Sequence, residues 1–329
     1  MAREDRHVGA GFGPPAAAAP GVAPDFLAVI DFDRKSGQYG QVLRTVPPPS
    51  PGNTGNEPHH CHTSADQTIL ACGGLLSVLK GQNDIFFFDI TDARHPRFLS
   101  STKAPNSPSD FVNPATTLNA VPGDLQLRSS LRFWDLQRRR ITRTVLLPDN
   151  AGTMDAKLIP GDPHGRAVTV NMFTGLMYSV DPTDGSYEQA FDTETITRHV
   201  ATEVRGGLPG LLAIPRGGRR LIFAAFMAGQ VGMLDITNPK QFKQVSVVSF
   251  GQDTGPHSVH LTHDGKRLVV TDYFLNQDGF GKVHLDGDHK VRVLDVREQS
   301  LTVDPAFQVV DFNTAVSTGP ARPHGIAMK

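Results

Sequence analysis

Three Pro-His dipeptides, Pro58-His59, Pro256-His257 and Pro323-His324, stand at one point of a repeated unit. Neutral imidazole is a ligand for copper, iron, nickel and zinc. If the units are blades set around an axis, the three rings converge, and convergent imidazoles specify a metal site without naming its metal. Asp155 holds the corresponding place in a fourth unit and Gly210 in a fifth. Asp155 is accordingly read as a ligand, a base or an orienter of a ligand. Cys61, between His60 and His62, has three readings: ligand, reactive thiolate, or small buried apolar residue. Period-two alternation places His62 and His260, three residues beyond the first histidine of their units, on the opposite strand face. Each ligand needs an acceptor for its second ring N–H, for which Glu57, Asp66 and Asp272 are candidates.

The repeat that must position these groups is an apolar strand ending in Asp, a short polar turn and a second apolar strand. It recurs at Asp31, Asp89, Asp135, Asp181, Asp235 and Asp295. An Asp before a turn bonds nearby backbone N–H groups, so turn geometry explains these residues better than catalysis does. The spacing is near that of a four-stranded propeller blade. A second element precedes most of these hairpins: an alternating strand, a turn and a return strand, as in Pro256-His257-Ser258-Val259-His260-Leu261 followed by Asp264-Gly265.

After Pro323-His324 the chain holds only one strand of a unit, whose partners lie in 26–33 and 39–46. The expected fold class is therefore all-β: a β-propeller of about six blades, or seven if 111–124 hides one, with the ring closed by N-terminal strands pairing with the C-terminal strand. Residues 1–24, rich in Ala, Gly and Pro, read as a flexible arm, and 25–329 as a single propeller domain.

Lys+Arg 32 against Asp+Glu 33 leaves nothing to attract nucleic acid or an anionic membrane. The expected partner is a small molecule. No segment approaches a membrane span or a secretory leader, and two cysteines, Cys61 and Cys72, are too few for a disulfide framework. The expected compartment is cytoplasmic. Pro163-His164-Gly165 falls at a turn and Arg138-Arg139-Arg140 at a hairpin tip, both read as solvated. The insertion around Asn276 and Asp288 reads as a loop over the mouth of the ring and lacks the acidic ladder of an EF-hand.

Ala23-Pro24-Asp25-Phe26-Leu27-Ala28-Val29-Ile30-Asp31, with Tyr39-Gly40-Gln41-Val42-Leu43 and then Pro58-His59-His60, resembles the opening of the selenium-binding protein family, which includes bacterial methanethiol oxidases. Leu131-Arg132-Phe133-Trp134-Asp135-Leu136, Asp264-Gly265-Lys266-Arg267-Leu268 and the closing Pro323-His324 are similar to it as well. The resemblance implies a propeller with a histidine-bound metal on its axis. It adds His60 to a ligand set of His59, His257 and His324, and implies copper, with another divalent transition metal as the alternative. The implied reaction takes a small thiol and O₂ to an aldehyde, hydrogen sulfide and hydrogen peroxide, with Asp155 and Cys61 as catalytic candidates. The chain departs from the family at Phe226-Met227-Ala228-Gly229, where the family has a histidine, at Gly325, where it has an acidic residue, and at Cys61, where it has two cysteines. Two other classes share the same residues: a divalent-cation lactonase-like hydrolase with Asp155 as ligand, and a non-enzymatic metal-binding propeller.

Overall fold

The computed structural model describes residues 7–12, 23–64, 66–74, 76–77, 80–102, 118–121, 124–127, 130–135, 140–148, 152–197, 207–277 and 283–329. Among these the chain is almost wholly antiparallel β-structure, with one short helix, Glu194–Thr197. Four sheets are four-stranded meanders or extensions of one. Pro58–Thr63, Ile69–Gly74, Ile85–Asp89 and Arg97–Thr102 form the first in chain order. Thr153–Leu158, Ala167–Asn171, Leu176–Val180 and Tyr187–Asp192 form the second, and Pro209–Ala213, Arg220–Ala225, Gln230–Asp235 and Lys243–Ser249 the third. In the fourth, Pro256–Leu261, Arg267–Asp272, Lys290–Arg297 and Ser300–Val303 are joined by Val310–Asp311. Ser130–Asp135 pairs with Arg140–Leu146, and Leu118–Val121 with Asp124–Leu127, as separate hairpins. Residues 103–117 of the irregular region lie outside the described residues, as do Arg138 and Arg139.

A fifth sheet, of four strands, draws on both ends of the sequence. Arg322–Met328 pairs with His7–Phe12, which pairs with Phe26–Ile30, which pairs with Val42–Val46. The arm expected over 1–24 is thus corrected at His7–Phe12. This stretch, HVGAGF, has no amphipathic alternation to announce a strand; it is ordered by backbone bonds to a neighbour on each side. The expected pairing of Arg322–Met328 directly onto residues 26–33 is replaced by pairing through this inserted strand.

The strands are graded from inside to outside by what covers them. Middle strands such as Ala167–Asn171 and Arg220–Ala225 are buried along their whole length, while the last strands, Arg97–Thr102 and Lys243–Ser249, are mostly half-buried or exposed. A middle strand lies between neighbouring sheets on both faces, so it reads as a continuous apolar run. An edge strand carries polar groups that discourage pairing with another chain. Apolar layers between neighbouring sheets hold the structure together: Ala224, Val231, Met233, Leu268, Val270 and Leu294 join the third sheet to the fourth. Phe26, Phe32, Tyr39, Val293, Phe307 and Phe312 join the fourth to the sheet containing both ends. Across that last junction Asp304 accepts hydrogen bonds from the Tyr39 hydroxyl at 2.7 Å and from Arg34 at 2.7 and 3.1 Å.

The Asp residues that mark the repeat do close turns. Asp31, Asp89, Asp181 and Asp235 each accept from the backbone N–H two residues on, at 2.9 Å. These are short-range bonds any chain can make locally, so the motif shows at the level of sequence. The first strands of the sheets lie beside one another in space: Pro58–Thr63 against Arg322–Met328, then Pro256–Leu261, Pro209–Ala213 and Thr153–Leu158.

Candidate metal centre

Every one of these five adjacent first strands is interrupted by a one-residue β-bulge near its start. Pro58 pairs with Gly74 and Cys61 with Cys72, so His59 and His60 occupy the interruption. Pro256 pairs with Asp272 and Ser258 with Thr271, leaving His257 between them. Pro323 pairs with Gly11 and Ile326 with Gly9, leaving His324 and Gly325. In the other two strands the interruptions fall at Gly210-Leu211 and at Met154. A bulge bends its strand and re-aims a side chain that a regular ladder would lock into alternation. The repeated register seen at His59, His257 and His324 is therefore a repeated backbone irregularity.

Two of these histidines meet. The rings of His257 and His324 lie 5.1 Å apart between centroids, tilted by 52°, and both residues are 1% exposed. His257 sits over Gly210, where a side-chain Cβ would come within 3.1 Å of its Nδ1. His324 Nδ1 lies 2.8 Å from Glu57 Oε1. Tyr273 packs edge-on against His324 at 5.0 Å, and the Arg322 guanidinium lies 5.9 Å from the centre of the Tyr273 ring. Glu57 adopts a φ of 54°, an uncommon conformation for a residue with a side chain, and one that costs energy.

Burial dominates the electrostatics. It pushes His324 down to about 3, so the ring is neutral near pH 7. It pushes Glu57 up to about 7, against the pull of Arg322, Tyr273 and Lys80. A neutral His324 whose Nδ1–H donates to Glu57 carries its lone pair on Nε2, the tautomer of a metal-ligating histidine oriented by a carboxylate. Burial also lowers the Arg322 pKa, opposed by Tyr273, Glu57 and Asp25.

The other expected site residues are placed as follows. The backbone of His59 and His60 is in the bulge of Pro58–Thr63, and their side chains lie outside the described residues. Asp155 is one residue past the bulge at Met154, paired with Val170. Its carboxylate accepts from the backbone N–H of Ala156 at 2.8 Å and of Leu212 at 2.9 Å, and pairs with Lys157 at 3.0 Å. The repeat set Asp155 level with His257, whereas the ladder sets Met154 there; Asp155 ties two strands together. Cys61 is not a free thiolate. It forms a disulfide with Cys72, the residue opposite it, and no described cysteine is free. This corrects the reading of Cys61 as a catalytic thiol, and removes the cysteine count as support for a cytoplasmic compartment. The alternation assigned to His62 and His260 also fails as a method, because both counts run through a bulge. Burial first, then Lys157, lowers the pKa of both, that of His260 to about 4, with His62 also acting on His260.

Among the candidate acceptors, Glu57 meets a histidine. Asp66 binds Ser64 and Thr68 in an exposed turn, and Asp272 pairs with Arg292. Tyr273 and Arg322 escaped sequence reading, although Arg322 directly precedes Pro323-His324. Among the described residues no group of three or more His, Cys, Asp or Glu side chains could hold a metal ion. The observed pair fits an imidazole-bound ion in donor type and burial, and its further ligands would come from the bulge containing His59 and His60.

No family model matches the chain. A 112-residue stretch, 33% of the chain, is 32% identical to the methanethiol oxidase of Hyphomicrobium sp., and spans 23% of that relative's length. The solved structure of a hypothetical selenium-binding protein from Sulfolobus tokodaii superposes with a TM-score of 0.72, covering 99% of this chain and 94% of the other at 14% identity. The first finding is a partial likeness in sequence to a methanethiol oxidase, and the second shows that the chain has the fold of that selenium-binding protein structure. A periplasmic gluconolactonase from Pseudomonas aeruginosa covers 99% of the chain with a TM-score of 0.44 at 12% identity. Both similarities agree with the resemblance first seen at residues 23–43 and 58–60. Among the described residues no helix is long and apolar enough to cross a membrane.

Proposed function

We propose that this chain is a metal-dependent oxidoreductase of the methanethiol oxidase type, built on a closed ring of six blades whose axis carries the ion. The observation that carries the reading is the buried His257–His324 pair, 5.1 Å apart, with His324 oriented by Glu57. His59 and His60 complete the ligand set, since their bulge belongs to a strand that lies against the one bearing His324. Copper is the ion favoured by the resemblance and tolerated by imidazole donors; when bound, it would supply the electron-transfer chemistry that couples thiol oxidation to O₂ reduction.

The protein's own contribution is orientation and exclusion of water. Glu57 holds the His324 tautomer, Gly210 leaves room for the His257 ring, and Tyr273 covers one edge of His324. With methanethiol the balanced reaction consumes one O₂ and one water and yields formaldehyde, hydrogen sulfide and hydrogen peroxide. The lactonase-like alternative needed Asp155 as a ligand, and its carboxylate is already bonded to Leu212, Ala156 and Lys157.

Elemental analysis of protein purified without an affinity-tag metal, followed by oxygen-electrode assays with methanethiol, tests the proposal. One equivalent of copper and thiol-dependent oxygen uptake, both lost in His257→Ala, are expected. Full copper retention in His257→Ala, or metal-loaded protein inert toward thiols, overturns it.

A further inference from the structure

The Cys61–Cys72 disulfide joins the first paired residue beyond the bulge that contains His59 and His60 to its partner on the next strand. Both cysteines are buried, at 4% and 3% exposure, in an apolar cluster with Leu70, Phe86 and Phe88. Two of the other bulges carry a tie at a comparable place. The Leu212 N–H, just past the Gly210-Leu211 bulge, donates to Asp155 at 2.9 Å. The His324 carbonyl accepts from the Thr271 hydroxyl at 3.0 Å. In Pro58–Thr63 the tie is covalent. A bulge is the weakest part of a ladder because its extra residue has no partner, so what fixes its end fixes the path of the residues inside it.

We infer that the Cys61–Cys72 disulfide is a redox-sensitive clamp that positions the His59-His60 bulge for metal binding. The inference rests on the metal-centre reading above. The clamp opens by thiol–disulfide exchange: two external thiols deliver two electrons and two protons to the S–S bond, leaving as their own disulfide while Cys61 and Cys72 become thiols. Burial of both sulfurs restricts that exchange to agents able to enter, or to moments when the strand opens. Cys61 and Cys72 are positioning residues here, acting through the backbone of their strand.

Two measurements test the inference separately from the reading it rests on. In the first, amide hydrogen exchange is compared between oxidised wild-type protein and wild-type protein reduced with a phosphine, both free of metal. Exchange is expected to speed up at 58–63 and 69–74 while the strands at 209–213 and 220–225 stay unchanged; equal exchange in the two forms overturns the clamp. In the second, a Cys61→Ser/Cys72→Ser protein is titrated with Cu(II) against a competing chelator, with the electron paramagnetic resonance spectrum recorded. About tenfold or weaker binding and an altered copper hyperfine pattern are expected, the scale of losing an outer support of a metal ligand. Wild-type affinity with an unchanged spectrum overturns the positioning role. If oxidised wild type binds no copper, the metal-centre reading falls, and the exchange experiment still decides whether the disulfide holds the strand.

Discussion

Gly210→Ala is the sharpest probe of the His257 placement, because it adds one methyl group at a known distance from one ring. A Cβ at 210 would stand 3.1 Å from His257 Nδ1, 3.6 Å from Cε1 and 3.8 Å from the backbone oxygen. Only the first is tighter than ordinary contact, so the imidazole must yield by a few tenths of an ångström. The backbone at 210 is not in the left-handed region, so Ala adds no conformational strain there. For stability the effects oppose: a stiffer unfolded chain favours the variant by roughly 0.4–1 kcal/mol, and overpacking costs about 1–3 kcal/mol. The fold should therefore lose between nothing and about 2.6 kcal/mol by these figures, which a urea titration will measure. Metal binding is less forgiving, since ligand sites tolerate errors of only about 0.5 Å. We expect Gly210→Ala to weaken Cu(II) binding by about tenfold, the lower end of what disturbing a ligand's support costs. Gly217→Ala, in the turn after the same strand, is the control, because among the described residues its Cβ would meet nothing within 4 Å. Gly210→Ala that folds normally and binds copper like the wild type would refute the assignment of His257 as a ligand.

Asp304→Ala should destabilise the protein by about 2–3 kcal/mol in urea unfolding, since it strands the buried Tyr39 hydroxyl and one side of Arg34. Burial opposes the Asp304 charge, but Tyr39, Arg34 and the Ala306 amide together lower its pKa; its contribution is therefore present above the ordinary carboxylate range and lost as pH falls through the lowered value. Asp155→Asn should cost about 1–3 kcal/mol in the same assay by disturbing bonds to Leu212, Ala156 and Lys157, while leaving copper stoichiometry intact; loss of copper would restore it as a ligand. His260 titrates near 4 when folded and near 6.5 when unfolded, so the unfolded state binds the extra proton between those values and stability falls as pH drops through that window. His260→Gln should flatten that slope in thermal melts at pH 4 to 6.5, and an unchanged slope would contradict the assigned burial.

What the sequence disclosed was local or periodic. Asp31, Asp89, Asp181 and Asp235 close turns with bonds spanning two residues, so their motif is written contiguously. The Pro-His register marked three bulges without revealing that they were bulges, because an interrupted ladder depends on which residue of the next strand stands opposite. The same dependence misplaced Asp155 by one residue and defeated alternation at His62 and His260. The disulfide was within reach: a hairpin closed by the Ser64 N–H and the Ile69 carbonyl sets residue 61 opposite residue 72. Glu57 could be named as an acceptor from its place beside Pro58. Choosing it over Asp66 and Asp272 required knowing that His324, 267 residues away, arrives at its carboxylate.

The sheet made from both ends also sets a timetable for synthesis. Phe26–Ile30 and Val42–Val46 leave the ribosome early, yet the strand bearing His324 follows only after the intervening sheets have been translated. At about 5–20 residues per second that wait is on the order of a quarter of a minute to a minute. Throughout it, the apolar side chains of Phe26, Ile30 and Phe32 lack Ile326 and Met328 as cover. A nascent chain in this state is exposed to holdase chaperones, and an ion held by both His257 and His324, as proposed above, would be loaded only late in the life of the polypeptide.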